Sequence, residues 1–208
     1  MTTIATSVNV VDGPLPDAAA LDARVAELRR RFPRAIIDRY LALLPTIGER
    51  ALIFPGAAVV GDVTLGEDVS IWYGSVLRGD LRPVTVGART NIQDSTTVHV
   101  TSGEGPTVIG ADCLIGHLVL LHGCWLHDHS FVGMGAIVMD GCEIESDAML
   151  AAGALLTPGK RIPRGQMWTG RPARYVRDLT AEEIDGHRAG VKHYIRNAHA
   201  HAALVRQG

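Results

Sequence analysis

Aromatic residues make up only 5% of this 208-residue chain, cysteine occurs three times, and Lys+Arg (20) do not outnumber Asp+Glu (22). Each shortage excludes something. With so few rings the interior cannot be filled as ordinary helical cores are, and 23 glycines call for many tight turns. Three cysteines cannot close a disulfide framework, and the odd number points to a reducing compartment, the cytoplasm. A formal charge of −2 offers no basic surplus to a phosphate backbone, so nucleic acid is not an expected partner. No apolar run approaches the ~20 residues that span a bilayer, and the opening stretch MTTIATSVNVVDGPLP holds neither Lys nor Arg nor a continuous apolar segment. Neither a membrane partner nor a targeting segment is therefore expected. What is present, 47% hydrophobic residues, suffices for one well-filled domain with appendages.

The appendages lie at the ends. Leu21, Val25, Leu28 and Phe32 recur at the spacing of an amphipathic helix, with Asp17 as its N-cap and Pro33 ending it before a short second helix. This arm reads as packing for the main body or as an oligomer contact. Thr180 and Glu183 have the spacing of a capping box and open a C-terminal helix to about residue 205 that carries Ile184, Val191, Ile195 and Leu204. His187, His193, His199 and His201 fall in it at mixed spacings, as solvated positions would. The expected division is an N-terminal extension over 1–50, a core over 51–170, and a linker with a docked helix over 171–208.

The core carries a repeat, because aliphatic residues return at every sixth position. The series runs Val59, Leu65, Ile71, Leu77; Val86, Ile92, Val98; Ile109, Ile115, Leu121; and Leu126, Val132, Val138, Ile144, Leu150, Leu156, Ile162. Four residues after most of them stands something small, such as Ser75, Thr96, Cys113, Ala136 or Ala148. One large and one small inward side chain per hexad fills a narrow coil of short strands without voids. The fold class is thus all-β in its core, a parallel β-helix of hexapeptide repeats with three hexads to each triangular coil.

The segments SVLRGD (75–80), VGARTNIQDSTTVH (86–99), IGHLVLLHGC (115–124), VGMGAIVMDG (132–141) and GRPARYVRDLTAEE (170–183) together resemble the γ-class carbonic anhydrase-like family. The resemblance spans nearly all of residues 53–178. It implies a left-handed β-helix and a homotrimer with metal sites between subunits, neither of which periodicity fixes.

Counting hexads around the triangle locates side chains without the family. Leu77, Val98 and Leu121 lie on one face in successive coils, so the residues after them, Arg78, His99 and His122, stack outward in a column. Coils sit about 4.8 Å apart, so two imidazoles in one column can converge on an ion that each binds at about 2.1 Å. On the face of Ile71, Ile92 and Ile115, the same count stacks Asp94 beneath His117 and sets Gln93 beside them. His117 therefore belongs to a different face, and a threefold assembly can lay it against the His99/His122 pair of the next chain. Three imidazoles leave a position open for water, the pattern of a catalytic ion. His127 and His129 have no stacking partner and read as surface residues, while Cys113 and Cys142 read as small inward positions.

Carried over by the resemblance, His99, His117 and His122 are the metal ligands, for Zn²⁺ or, since imidazole accepts all of them, Fe²⁺ or Co²⁺. Gln93 and Asp94 would orient the metal-bound water or hydroxide, with Asn91 as a supporting polar group. Arg78 and Asp80 would tie subunits together and buttress the site. The implied reaction is attack of metal-bound hydroxide on CO2 to give bicarbonate. Leu81 stands after the RGD string where family members carry an acidic proton carrier, Glu104 is the sole acid between Val98 and Ile109, and Trp168 and Thr169 occupy a position where some members place a polar helper. Two alternatives use the same repeat: an acyl-CoA thioesterase or hexapeptide acyltransferase acting on a small-molecule substrate, and a non-catalytic trimeric scaffold.

Overall fold

The computed structural model describes residues 17–103 and 105–205; the opening stretch before Asp17 and Glu104 lie outside the described residues. Short strands wind into a three-sided prism whose ladders are parallel. On the first face Val59, Leu77, Val98, Leu121, Val138 and Leu156 stand in register. The second face aligns Leu65, Val86, Ile109, Leu126, Ile144 and Ile162, and the third aligns Ile53, Ile71, Ile92, Ile115, Val132 and Leu150. All but Ile53 in these columns are nearly or wholly closed to solvent. Burying each such side chain contributes about 1.5–3 kcal/mol, so the column of aliphatics is the main source of stability.

The small inward positions finish the corners. The Ser75 hydroxyl donates to the carbonyl of Gln93 (2.8 Å) and accepts from the N–H of Thr96 (3.2 Å). Thr96 repeats this one coil on, donating to Gly116 (2.9 Å) and accepting from Val119 (3.1 Å). Buried hydroxyls with both capacities used cost little and hold neighbouring coils in register.

One corner has an unusual composition. Arg50, Asp68, Arg89, Asp112, His129 and Asp147 succeed each other along it, all at positive φ between 52° and 63°. Arg50 pairs with Asp68 and Arg89 pairs in a fork with Asp112 (2.7 and 2.6 Å). Stacked side chains of alternating sign there offset the backbone strain that non-glycine residues carry in this region.

Asp17 caps helix α1 (Ala18–Arg31) by accepting from the N–H of Ala19 at 3.0 Å, as its position predicts. The expected second helix after Pro33 is not formed. Ile36–Asp38 is a strand, pairing Ile37 with Val59, and Thr46–Ile47 pairs Ile47 with Leu65. Two adjacent β-branched residues extend the first two faces upstream, because covering the otherwise open end of the aliphatic stack gains more than helical propensity offers.

Helix α2 (Ala181–Val205) lies on the third face, where Ala198 and Ala202 pack with Leu52, Phe54 and Trp72. Its histidines are only partly the solvated residues expected. His201 meets Trp72 edge-on at 5.2 Å, His187 meets Phe131 at 4.7 Å, and burial pushes the His187 pKa down. Val191 is buried, whereas Leu204 is exposed, since the buried positions of the helix are Val191, Ala198 and Ala202. Among the described residues no helix is long and apolar enough to cross a membrane.

The capping box forms as spaced: Thr180 N–H donates to Glu183 (2.9 Å) and Glu183 N–H to the Thr180 hydroxyl (3.2 Å). Arg177 adds a fork at 2.7 Å to both carboxylate oxygens, and with the Thr180 amide holds the Glu183 pKa at about 2. A depressed carboxyl pKa stabilises the fold above the ordinary glutamate value of 4.5 and loses that contribution as pH falls toward 2. A ¹³C-carboxyl titration of Glu183 should show this low midpoint, and Arg177→Gln should move it upward; an unmoved midpoint would refute the assignment of Arg177 as its chief cause.

Candidate metal centre

His99 ends the strand Thr97–His99 and His122 ends Leu120–His122, and the ladder sets the two directly opposite each other. His99 Nδ1 lies 3.2 Å from His122 Nε2, as the shared column predicts. Each ring is held from behind. Asp80 accepts from His99 Nε2 at 3.0 Å, and Asp140 accepts from His122 Nδ1 at 2.7 Å. In the neutral tautomers that keep each ring proton on the nitrogen facing its carboxylate, the two nitrogens turned toward each other both carry lone pairs. Two lone pairs at that distance repel unless a cation lies between them. Two ligands bound at about 2.1 Å to one tetrahedral ion stand about 3.4 Å apart, close to the observed separation. The residues present thus fit a shared divalent ion.

Arg78 continues the chain of contacts by pairing with Asp80 within the same subunit. Burial would raise the Asp80 pKa, but hydrogen bonds from His99 and Arg78 outweigh it and hold the carboxyl below its usual range. Burial in turn lowers the His99 pKa, with the Arg78 charge acting in the same direction and Asp80 against it. Both environments keep the carboxylate charged and the imidazole neutral, the forms a ligand pair requires.

Asp140 was not among the candidates read from the sequence. The signal exists: Val138 stacks on Leu121, so Met139 and Asp140 follow over His122 and Gly123. Gly123 provides the room, since a Cβ there would come within 2.2 Å of Asp140 Oδ1.

His117 and Asp94 pair on the next corner, His117 Nδ1 to Asp94 at 2.8 Å, with about 40% of each side chain exposed. Asp94, expected to orient water, is engaged with this imidazole, leaving His117 Nε2 as the nitrogen free to coordinate. Gln93 is buried and donates to Asn91 Oδ1 (3.1 Å), which in turn donates to the carbonyl of Cys113 (3.3 Å). The structure therefore gathers Arg78, Asp80, His99 and His122 into one unit and Asn91, Gln93, Asp94 and His117 into another. Among the described residues no three metal-ligating side chains of the single chain converge.

The remaining candidates are placed elsewhere. His127 hydrogen-bonds to Glu143 at 2.7 Å on the surface, Leu81 packs on the aliphatic core, and Trp168 donates to Gln166. All three cysteines are free and buried, and burial pushes the Cys113 thiol up to about 11, which removes it as a nucleophile.

A family model described as "Bacterial transferase hexapeptide (six repeats)" matches residues 45–79. The chain is 48% identical over 196 residues to "Gamma carbonic anhydrase 1, mitochondrial" of Arabidopsis thaliana, covering 88% of this chain and 71% of that protein. It is 37% identical over 172 residues to "Carbonic anhydrase" of Geobacillus kaustophilus, covering 83% and 94% respectively. A Bacillus cereus crystal structure described as a putative acetyltransferase superposes with a TM-score of 0.80 at 37% identity, covering 82% of this chain and 99% of that one.

The packing of Asp140 over Gly123 yields a test that needs no metal. Gly123→Ala adds a methyl where the carboxylate sits and at φ 54°, so it should displace Asp140 and cost about 1–3 kcal/mol. Long-range ¹H–¹⁵N spectra of wild type should show His122 protonated on Nδ1, and the variant should lose that preference. An unaltered His122 tautomer in the folded variant contradicts the clamp.

Proposed function

This chain belongs to the γ-class carbonic anhydrase family, and on that premise we propose that it is a metal-dependent enzyme that hydrates CO2 to bicarbonate. The observation that carries the reading is the pair of opposed imidazole lone pairs, His99 and His122, each fixed by its own carboxylate. In the proposed homotrimer, His99 and His122 of one copy and His117 of its neighbour hold the ion, zinc or else iron or cobalt. Bound there, the ion supplies Lewis acidity enough to ionise a water near neutral pH.

The chain's own groups do the positioning. Asp80, Asp140 and Asp94 hold the three imidazoles in the ligating tautomer and raise their basicity. Gln93, with its amide nitrogen anchored on Asn91, is left with its carbonyl oxygen to accept from a reacting water, and the second oxygen of Asp94 is available for the same purpose. Net hydration converts water and CO2 into bicarbonate and a proton, which must leave the site. With Leu81 packed on the core, external buffer is the acceptor on this reading. The buried thiols support a reducing compartment such as the cytoplasm.

Three measurements test the proposal. Metal-replete wild-type protein should carry an ion and hydrate CO2, His122→Ala should lose most of the metal, and Asp140→Asn should weaken binding by about 10–100-fold. A panel of acyl-CoA thioesters run beside the CO2 assay separates thioester hydrolysis from hydration. The sharing of the site between chains is tested by mixing. His99→Ala and His117→Ala homotrimers should each be defective, yet a trimer reassembled from both contains an interface where an intact pair meets an intact His117. Recovery of metal and activity in mass-verified mixed trimers is expected; no recovery at any ratio means that the site is built within one chain.

A further inference from the structure

Between helix α2 and the charged corner lies a cavity of about 220 Å³ lined by Asp112, His129, Arg188, Val191 and Lys192. It stands apart from the candidate metal centre. His129 occupies the corner position that follows Asp112 and precedes Asp147, and its Nδ1 is buried with no hydrogen-bond partner among the described residues. An imidazole keeps its proton on the nitrogen that can find an acceptor, so Nε2, the nitrogen not enclosed, is the one that presents an N–H. The carboxylates nearby are already committed. Both oxygens of Asp112 are taken by Arg89. Asp147, itself buried, accepts from both Arg164 (2.7 Å) and Arg188 (2.9 Å), so two guanidinium charges face one carboxylate. Lys192 has no carboxylate within 4 Å among the described residues. Counting charges, Arg89 (+1) and Asp112 (−1) cancel, Arg164 and Arg188 (+2) with Asp147 (−1) leave +1, and Lys192 adds +1, a surplus of +2 around the cavity.

We propose that this cavity is a binding site for a small oxyanion of the phosphate or bicarbonate class, held by Lys192, the unshared N–H groups of Arg188 and His129. Arg188 is preorganised by Asp147, which holds one Nη of its guanidinium while leaving other donors unused, and Lys192 lies one helical turn further on the same face of α2. Asp112 lines the cavity too, and its pairing with Arg89 offsets the charge it would otherwise set against an anion. The positive cluster thus stands against the protein's formal net charge of −2. The site does not depend on the proposed hydratase activity.

Calorimetric titration of the intact protein tests it, with inorganic phosphate in one arm, bicarbonate in a second, and chloride at equal ionic strength as the blank. Saturable binding in at least one of the first two arms is expected, and the arm that binds identifies which oxyanion is held. Lys192→Gln should weaken it about tenfold, the worth of one charge-assisted hydrogen bond. Lys192→Glu should abolish it, and Lys160→Gln, in the last coil, should leave it unchanged. No saturable binding in either arm overturns the proposal. So does equal affinity in wild type and Lys192→Gln, since the anion then sits elsewhere, such as at the metal centre.

Discussion

Everything outward on this molecule is placed by what is stacked inward. A parallel coil slipped by one residue would exchange its buried aliphatics for the polar neighbours, so the columns through Leu77, Val98 and Leu121 and through Ile71, Ile92 and Ile115 admit one register. His99 and His122 follow Val98 and Leu121 by one residue and are forced into opposition. No property of the histidines brings them together. In the carboxylate-facing tautomers their opposed lone pairs repel, a cost that burial of the flanking aliphatics, at about 1.5–3 kcal/mol each, readily sustains. Functional strain here is held by ordinary packing.

The same constraint explains the companions of each ring. A carboxylate one coil above or below, or two residues along, arrives at the back of an imidazole because successive coils are stacked at fixed spacing. Asp140 reaches His122 from the next coil and Asp94 reaches His117 from the preceding one, while Asp80 comes from the turn that the long strand Val76–Val86 makes between two faces. Gly123 is part of this design, leaving the space that Asp140 fills.

The hexad columns, the His99/His122 opposition, the His117/Asp94 stack and both helix caps were legible in the sequence, because each rests on a period or a spacing of a few residues. Asp140 was equally countable, but a carboxylate carries no signal until one asks what stands behind a ligand. The strand at Ile36–Asp38 was missed because local reading sees Pro33 as a break between helices and cannot see the open end of a stack waiting to be covered. His201 and His187 were misread as solvated since their ring partners, Trp72 and Phe131, lie far away in sequence. Arg78 and Asp80 were read as a tie between subunits that also buttresses the site, and within one chain the pair forms and Asp80 supports His99. Periodic information is local, and docking information is not.

On the proposed reading the ion and the interface require each other, and the charges show why. The two units contribute three carboxylates, Asp80, Asp140 and Asp94, and one cation, Arg78, a sum of −2. Bringing the second unit of one chain against the first of another therefore gathers like charge in a half-buried space, where it is poorly screened. A divalent ion cancels that sum and at the same time occupies the gap between the opposed lone pairs. Neither half-site would complete its coordination alone, with two nitrogens on one side and one on the other. Metal binding and assembly thus draw on the same interaction, so each strengthens the other by linkage, and a chain carrying only half of the ligand set gains a complete site by meeting a copy of itself.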